Sequence, residues 1–290
     1  MSDPAALGTR VILSDAGDTA TTTSSRNAID LRPRTEDPTN TATMELLDRL
    51  AGKVVIVTGA ARGLGRDYAR YFAMDGAHVV VADVKDTAGA AQEASAIGPK
   101  CIGIECDVTS QESVNALVSA TVKEFGRLDI LINNAGLWRG LAEAGLLDCP
   151  DDVWDIAWAV NVTGTLRAAR AAIPAMKANA WGRVVNVSSM AAKSGGNSYG
   201  LTKATVEHMT RGMAREVGDF GITVNCIAPG ISAFEAASSQ LANADDITGS
   251  NPIKRFGTSR EQYEAMAYFC SDGADYTTGQ TLYVDGGATS

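Results

Sequence analysis

Val54-Val55-Ile56-Val57-Thr58-Gly59-Ala60-Ala61-Arg62-Gly63-Leu64-Gly65 decides the fold of this chain. Its β-branched start predicts a strand buried on both faces, and its glycines predict a turn. A helical pattern then continues through Tyr68, Ala69, Phe72 and Ala73. Glycine lets the backbone take a positive φ and approach a bound group closely, while the N–H groups and dipole at a helix start favour anionic oxygens. A glycine cluster alone signals only a tight turn. The strand before it and the helix after it make Gly59, Arg62, Gly63, Leu64 and Gly65 a candidate cradle for a dinucleotide pyrophosphate.

Working outward, short apolar runs alternate with longer helical patterns from Lys53 onward. Strands are predicted at Val54–Val57, His78–Asp83, Lys100–Cys106, Leu128–Asn133, Arg183–Val187, Thr223–Ala228 and Thr281–Val284. The intervals suit right-handed helical crossovers, so the expectation is a single-domain, Rossmann-like, doubly wound α/β fold with a seven-stranded parallel sheet flanked by helices. Asp151–Ala180 reads as one long helix with a kink at Pro174.

Open α/β sheets bind ligands at the carboxyl ends of their strands. Asp83 ends the second predicted strand, about twenty residues past the glycines, where a carboxylate accepts from adenosine ribose hydroxyls and repels a 2′-phosphate. That favours NAD over NADP, with Arg62 as the group that argues for the phosphorylated form. Asp107 and Val108 follow the third strand, and Asn134, Ala135 and Gly136 follow the fourth, as candidate adenine-side and nicotinamide-side contacts. Asn133 reads as a structural tie between loops.

Tyr199-Gly200-Leu201-Thr202-Lys203 opens a helix that continues through Val206, Met209 and Met213. The four-residue interval stacks Tyr199 and Lys203 on one face. A phenol titrates near 10, but an ammonium at about 4 Å with an effective dielectric of about 20 stabilises its anion by roughly 4 kcal/mol, equivalent to about three in pKa. Ser188-Ser189 ends the fifth predicted strand. Consecutive strand residues face opposite sides, so if the strand persists this far only one of the two faces the cleft, and Ser189 is the chosen candidate.

Taken together, TGAARGLG, NNAG, the Asn161 of AVNVTGT, VVNVSS, YGLTK, the Pro229-Gly230 turn and the terminal TGQTLYVDGG resemble the short-chain dehydrogenases/reductases over roughly Leu50 to Gly287. The resemblance implies catalytic roles for Asn161, Ser189, Tyr199 and Lys203. Tyr199 would exchange a proton with the substrate oxygen, Ser189 would hold that oxygen, Lys203 would lower the tyrosine pKa and bind the nicotinamide ribose, and Asn161 would fix a relay water. Pro229, Gly230 and Ile231 would meet the nicotinamide, and Ser232–Pro252 would close over the substrate, an alcohol or ketone. The Ser189–Tyr199 interval is shorter than the family usually shows, implying a tightened serine loop. Leu137, Trp138, Met190 and Phe234 are read as an apolar pocket for a hydrophobic or cyclic substrate. The last strand and the helix around Trp154–Ala172 resemble family tetramer contacts, so a homotetramer or homodimer is expected, while Trp154, Trp158 and Trp181 are read as packing residues.

Composition narrows the alternatives. A formal net charge of -9 and a pI near 4.8 disfavour nucleic acid or an anionic membrane surface as partner. No apolar run approaches the roughly 20 residues that span a bilayer. Cys101, Cys106, Cys149, Cys226 and Cys270 are scattered, the pattern of reduced thiols in the cytoplasm. His78 and His208 are the only histidines and neither neighbours a second ligand, so no metal site is expected. Residues 1–47 are rich in Thr, Ser, Asp, Ala and Pro, lack the apolar middle of a secretory signal, and are expected to form a flexible extension to a dinucleotide-binding and catalytic domain at 48–290.

Overall fold

β1 (Val54–Thr58) lies in the interior of a seven-stranded sheet with every residue buried. The computed structural model describes residues 48–138, 141, 145–194, 196–232 and 251–290. The extension over residues 1–47, Phe234 and nearly all of the expected lid segment lie outside them. Around β1 are β2 (His78–Asp83), β3 (Cys101–Glu105), β4 (Ile130–Asn133), β5 (Gly182–Val187), β6 (Ile222–Pro229) and β7 (Thr281–Val284). Their order is β3-β2-β1-β4-β5-β6-β7 and every pairing is parallel. The order reverses between β1 and β4, in register Val55↔Ile130, which opens a crevice at the carboxyl ends of these strands.

Alternate residues of each central strand feed opposite faces. Val55, Val57, Val79, Val81, Ile130 and Ile132 pack against α1 (Gly63–Met74), α2 (Thr87–Ser95) and, near the chain end, Ser259–Cys270. Ile56, Val80, Leu131, Val184 and Val224 pack against α3 (Gln111–Phe125), the helices following β4 and the long helix following β5. Each large aliphatic side chain so removed from water contributes roughly 1.5–3 kcal/mol. Phe72, fully buried and edge-on to Tyr263 at 5.0 Å between ring centroids, would leave a cavity costing about 3–5 kcal/mol if cut back to alanine. The edge strands β3 and β7 are only partly buried, as strands with one neighbour are.

The expected strands are all present, with shifted ends. β3 excludes Lys100 and Cys106. β4 begins at Ile130 rather than Leu128, where the Asp129 carboxylate accepts from Val54 N at 2.8 Å and pairs with Arg127 ahead of the ladder. The single helix expected over Asp151–Ala180 is instead α4 (Asp151–Ala157), a π-helical segment (Trp158–Gly164) and α5 (Thr165–Ala178). The helix runs on through Pro174, and the departure from α geometry comes earlier, where Asn161 is drawn to partners outside its own helix. Among the described residues the remaining α-helices are α6 (Ala191–Ser194), α7 (Ser198–Val217) and α8 (Ser259–Cys270). No helix among the described residues is long and apolar enough to cross a membrane.

Candidate active site

The glycine turn is shaped by close approach. Gly59 has φ +65°, and a Cβ there would stand 2.7 Å from the Ala135 Cα. At Gly65 a Cβ would meet the Gly59 carbonyl oxygen at 2.2 Å. Only glycine lets α1 start this near the end of β1. Arg62, in extended conformation, precedes α1 without making a side-chain cap, and the first turn of α1 holds no acid. By contrast α3 is capped by Ser110 with Glu112 in its first turn, and α8 by a reciprocal Thr258–Glu261 capping box. The amides at the start of α1, around Gly63, Leu64 and Gly65, therefore suit an anionic group supplied from outside.

Asp83 stands beside this turn. Its carboxylate accepts from Ala61 N at 3.1 Å and Val84 N at 2.8 Å, which fixes the charge at the rim of the crevice. The Thr58 hydroxyl accepts from the backbone amides of Asn134 and Ala135, both at 3.1 Å. The Asn134 side-chain amide donates to the carbonyls of Thr58 and Gly59, so it braces the glycine turn. Asn133 is buried between Asn186 and the Thr165 carbonyl. Asp107, exposed, accepts from the Thr109 amide and hydroxyl within its own turn. Val108 is buried against the face of Gly164, where a Cβ would come within 2.8 Å of its Cγ2.

Across the crevice, α7 begins at Asn197, whose side chain accepts from Gly200 N at 2.7 Å. Tyr199 and Lys203 occupy one face of its first turns, with the Lys203 ammonium 5.6 Å from the Tyr199 ring centroid. Lys203 is 4% exposed, and its Nζ donates to the Val187 carbonyl at 2.7 Å, which anchors the cation to the end of β5. Ser188 is buried, its hydroxyl turned to Glu207 at 2.9 Å and to the Lys203 carbonyl at 3.2 Å. Ser189 is half-buried on the other side, its Oγ accepting from Ala191 N at 3.2 Å as α6 begins.

Asn161 is 1% exposed and its side-chain amide is fully engaged. Oδ1 accepts from Leu137 N at 2.7 Å, while Nδ2 donates to the Leu137 carbonyl at 2.9 Å and to Thr202 Oγ1 at 3.0 Å. Its backbone carbonyl accepts from the Thr165 hydroxyl at 2.8 Å. The π segment thus pegs the loop after β4 to α7. A Cβ on Gly136 in that loop would lie 3.4 Å from Lys203 Nζ and 3.5 Å from Asn161 Oδ1, so its missing side chain leaves space beside the ammonium.

Thr202, between the tyrosine and lysine, was not singled out from the sequence. Its hydroxyl accepts from Asn161 and donates to the Tyr199 carbonyl at 2.8 Å. The available signal was a polar residue on the buried face of an amphipathic helix. At the far wall, Gly230 N donates to Val284 O at 2.9 Å, and Met190 N donates to Pro229 O at 2.8 Å. Ile231 accepts from Gly257 N through its carbonyl, and Ser232 is buried. Leu137, 39% exposed, Trp138 and Met190 are the described members of the expected apolar pocket. Trp154 meets Trp158 at a tilt with 5.7 Å between ring centroids, and the Lys53 and Arg183 cations both lie against the Trp181 ring, contacts in keeping with packing roles.

Residues 59–289 match the family model described as enoyl-(acyl carrier protein) reductase. The chain is 38% identical over 262 residues to a cyclohexanol dehydrogenase of Rhodococcus sp. (strain TK6), covering 83% of this chain and 97% of that protein. It is 36% identical over 246 residues to the short-chain reductase protein NovJ of Streptomyces niveus, covering 81% and 93% respectively. It is also 36% identical over 244 residues to the 3-oxoacyl-[acyl-carrier-protein] reductase FabG of Vibrio cholerae, covering 82% and 98%. With the parallel sheet, the glycine turn and the Tyr199–Lys203 face in place, this chain belongs to the short-chain dehydrogenase/reductase family, oxidoreductases that act on small molecules with a nicotinamide dinucleotide.

Proposed function

We propose that the chain is an NAD-dependent dehydrogenase that interconverts a secondary alcohol and a ketone, acting on a hydrophobic or cyclic substrate. The observation that carries this reading is the Lys203 ammonium, anchored on Val187 O and facing the Tyr199 ring at the carboxyl end of the sheet. A cation so placed favours the phenolate, making Tyr199 the group that takes the hydroxyl proton in oxidation and returns it in reduction. Ser189 donates to the substrate oxygen from the opposite side. Lys203 holds the nicotinamide ribose, and Asn161 orders the relay through the loop it pegs. Asn161 does this by position, since both N–H groups of its side chain are already donated. The bound dinucleotide supplies the hydride acceptor or donor.

Support for NAD comes from Asp83, a carboxylate braced by two backbone amides beside the glycine turn, where a 2′-phosphate would be repelled. Gly59, Arg62, Gly63, Leu64 and Gly65 are assigned to the pyrophosphate, Asp107 and Val108 to the adenine side, and Ala135, Gly136, Pro229, Gly230 and Ile231 to the nicotinamide side. Asn134 contributes by bracing the turn. Support for a cyclic alcohol comes from Leu137, Trp138 and Met190 and from the similarity to a cyclohexanol dehydrogenase. Five free cysteines fit a reducing cytoplasm.

Arg62 at the helix start favours a second reading, an NADP-dependent carbonyl reductase. Steady-state absorbance at the reduced nicotinamide band, with cyclohexanol and other hydrophobic secondary alcohols and with either dinucleotide, separates the two. The expected result is turnover with kcat/KM for NAD at least about tenfold above NADP, a like-charge clash being worth more than about 1.4 kcal/mol. Equal or better efficiency with NADP assigns the second reading. NADH binding without turnover of any alcohol or ketone overturns both in favour of a dinucleotide-sensing protein.

A further inference from the structure

We propose that Glu207 and Tyr283 are positioning residues for Ser189, closing a bracket that pins the serine loop on both sides. Ser188, immediately before Ser189, is 2% exposed and donates its hydroxyl to Glu207 Oε1 at 2.9 Å. Tyr283, from the edge strand β7, donates to the same oxygen at 2.7 Å. Lys193, four residues after Ser189 and within α6, places its ammonium 4.0 Å from the Tyr283 ring centroid. Ser188, Glu207, Tyr283 and Lys193 therefore form a closed circuit through the end of β5, α7, β7 and α6. Ser189 sits inside the stretch that this circuit spans, its own Oγ bonded to Ala191 N.

The reaction requires such a device, because a hydroxyl that steadies a reacting oxygen must be held to within about 0.5 Å, and loops hold side chains less firmly than strands or helices. Ser189 lies past the end of β5, and only nine residues, Met190 to Ser198, separate it from Tyr199. α6 and the bond from Ala191 N to Ser189 Oγ order this stretch locally, and its anchoring to α7 and β7 comes from neighbours. Tyr283 suits the task because burial, with the Glu207 carboxylate, raises its phenol above the ordinary value and keeps it a donor. Its ring meanwhile presents a π face to the Lys193 cation. One residue of an edge strand thus reaches Ser188 through Glu207 and Lys193 through its ring.

The inference rests on the proposed role of Ser189, and its test separates the two. Tyr283→Phe keeps the ring for Lys193 and removes only the hydroxyl. It should lower kcat about tenfold, leave the NADH Kd within about twofold, and speed amide hydrogen exchange across residues 188–194. Glu207→Leu should act alike, and Glu207→Gln, which keeps an acceptor oxygen, should restore kcat to within about threefold of wild type. In a Ser189→Ala background Tyr283→Phe should cause no further loss, because the group it positions is gone. Equal losses in both backgrounds, or unchanged exchange at 188–194 in Tyr283→Phe, would overturn the bracket. Should the wild-type protein turn over no alcohol or ketone, the functional reading fails on its own, and the exchange measurement still decides whether the bracket restrains the loop.

Discussion

Thr202 has one hydroxyl and uses it in two directions, toward Asn161 and toward the Tyr199 carbonyl. Thr202→Val keeps the shape but withdraws the acceptor from a buried amide, at about 1–3 kcal/mol, measurable by urea unfolding. Thr202→Ser should lose much less. At Tyr199 the expectation is different in kind: Tyr199→Phe should reduce turnover about 10²- to 10⁴-fold while the NADH Kd stays within about threefold, read by cofactor fluorescence. The spacing in YGLTK made Tyr199 and Lys203 legible as a stacked pair, and their place after the strand series and Ser188-Ser189 set them apart from a chance YxxxK. Thr202 was not legible in the same way. Its partner is 41 positions away in the chain, and periodicity carries no information about such contacts. The choice between Ser188 and Ser189 had the same character: both follow the end of β5, where alternation no longer applies, and only the packing of α7 shows that Ser188 is the inward one.

Among the elements, the π segment Trp158–Gly164 is one that periodicity missed. Local sequence reads alike in α and π turns, and what widens this one is the tertiary demand of Asn161 for Leu137 and Thr202. α8 carries a prediction of its own. The Arg255 guanidinium, with the Thr258 amide and hydroxyl, draws Glu261 from the ordinary 4.5 down to about 2 against the opposing effect of burial. A carboxylate whose folded pKa lies below its unfolded one adds stability above about 4.5, and that contribution fades as pH falls toward about 2. Chemical denaturation across that window should therefore show wild type losing more stability than Glu261→Gln, which has no charge to neutralise. The screened surface position of the pair keeps the difference small, and equal slopes would contradict the assignment.

For the whole molecule, the doubly wound architecture was legible because the central strands are apolar throughout and their spacing leaves room only for crossovers. The edge strands and exact strand ends were less so, since side-chain bonds such as Asp129 to Val54 N decide where a ladder begins. The same edge bears on the expected assembly. Among the described strands β7 has one neighbour, and Leu282 is 42% exposed, so we propose that this edge contributes to the homodimer or homotetramer expected of the 30.2 kDa chain. Sedimentation should show a species two or four times that mass, and Leu282→Asp should shift it toward the single chain. The reversal of strand order has a consequence for synthesis as well. β1 is complete at Thr58, yet the strand that covers one of its sides starts only at Ile130. A nascent chain paused in between carries Val55, Ile56 and Val57 on an open hydrogen-bonding edge, a seam to which another emerging polypeptide can adhere.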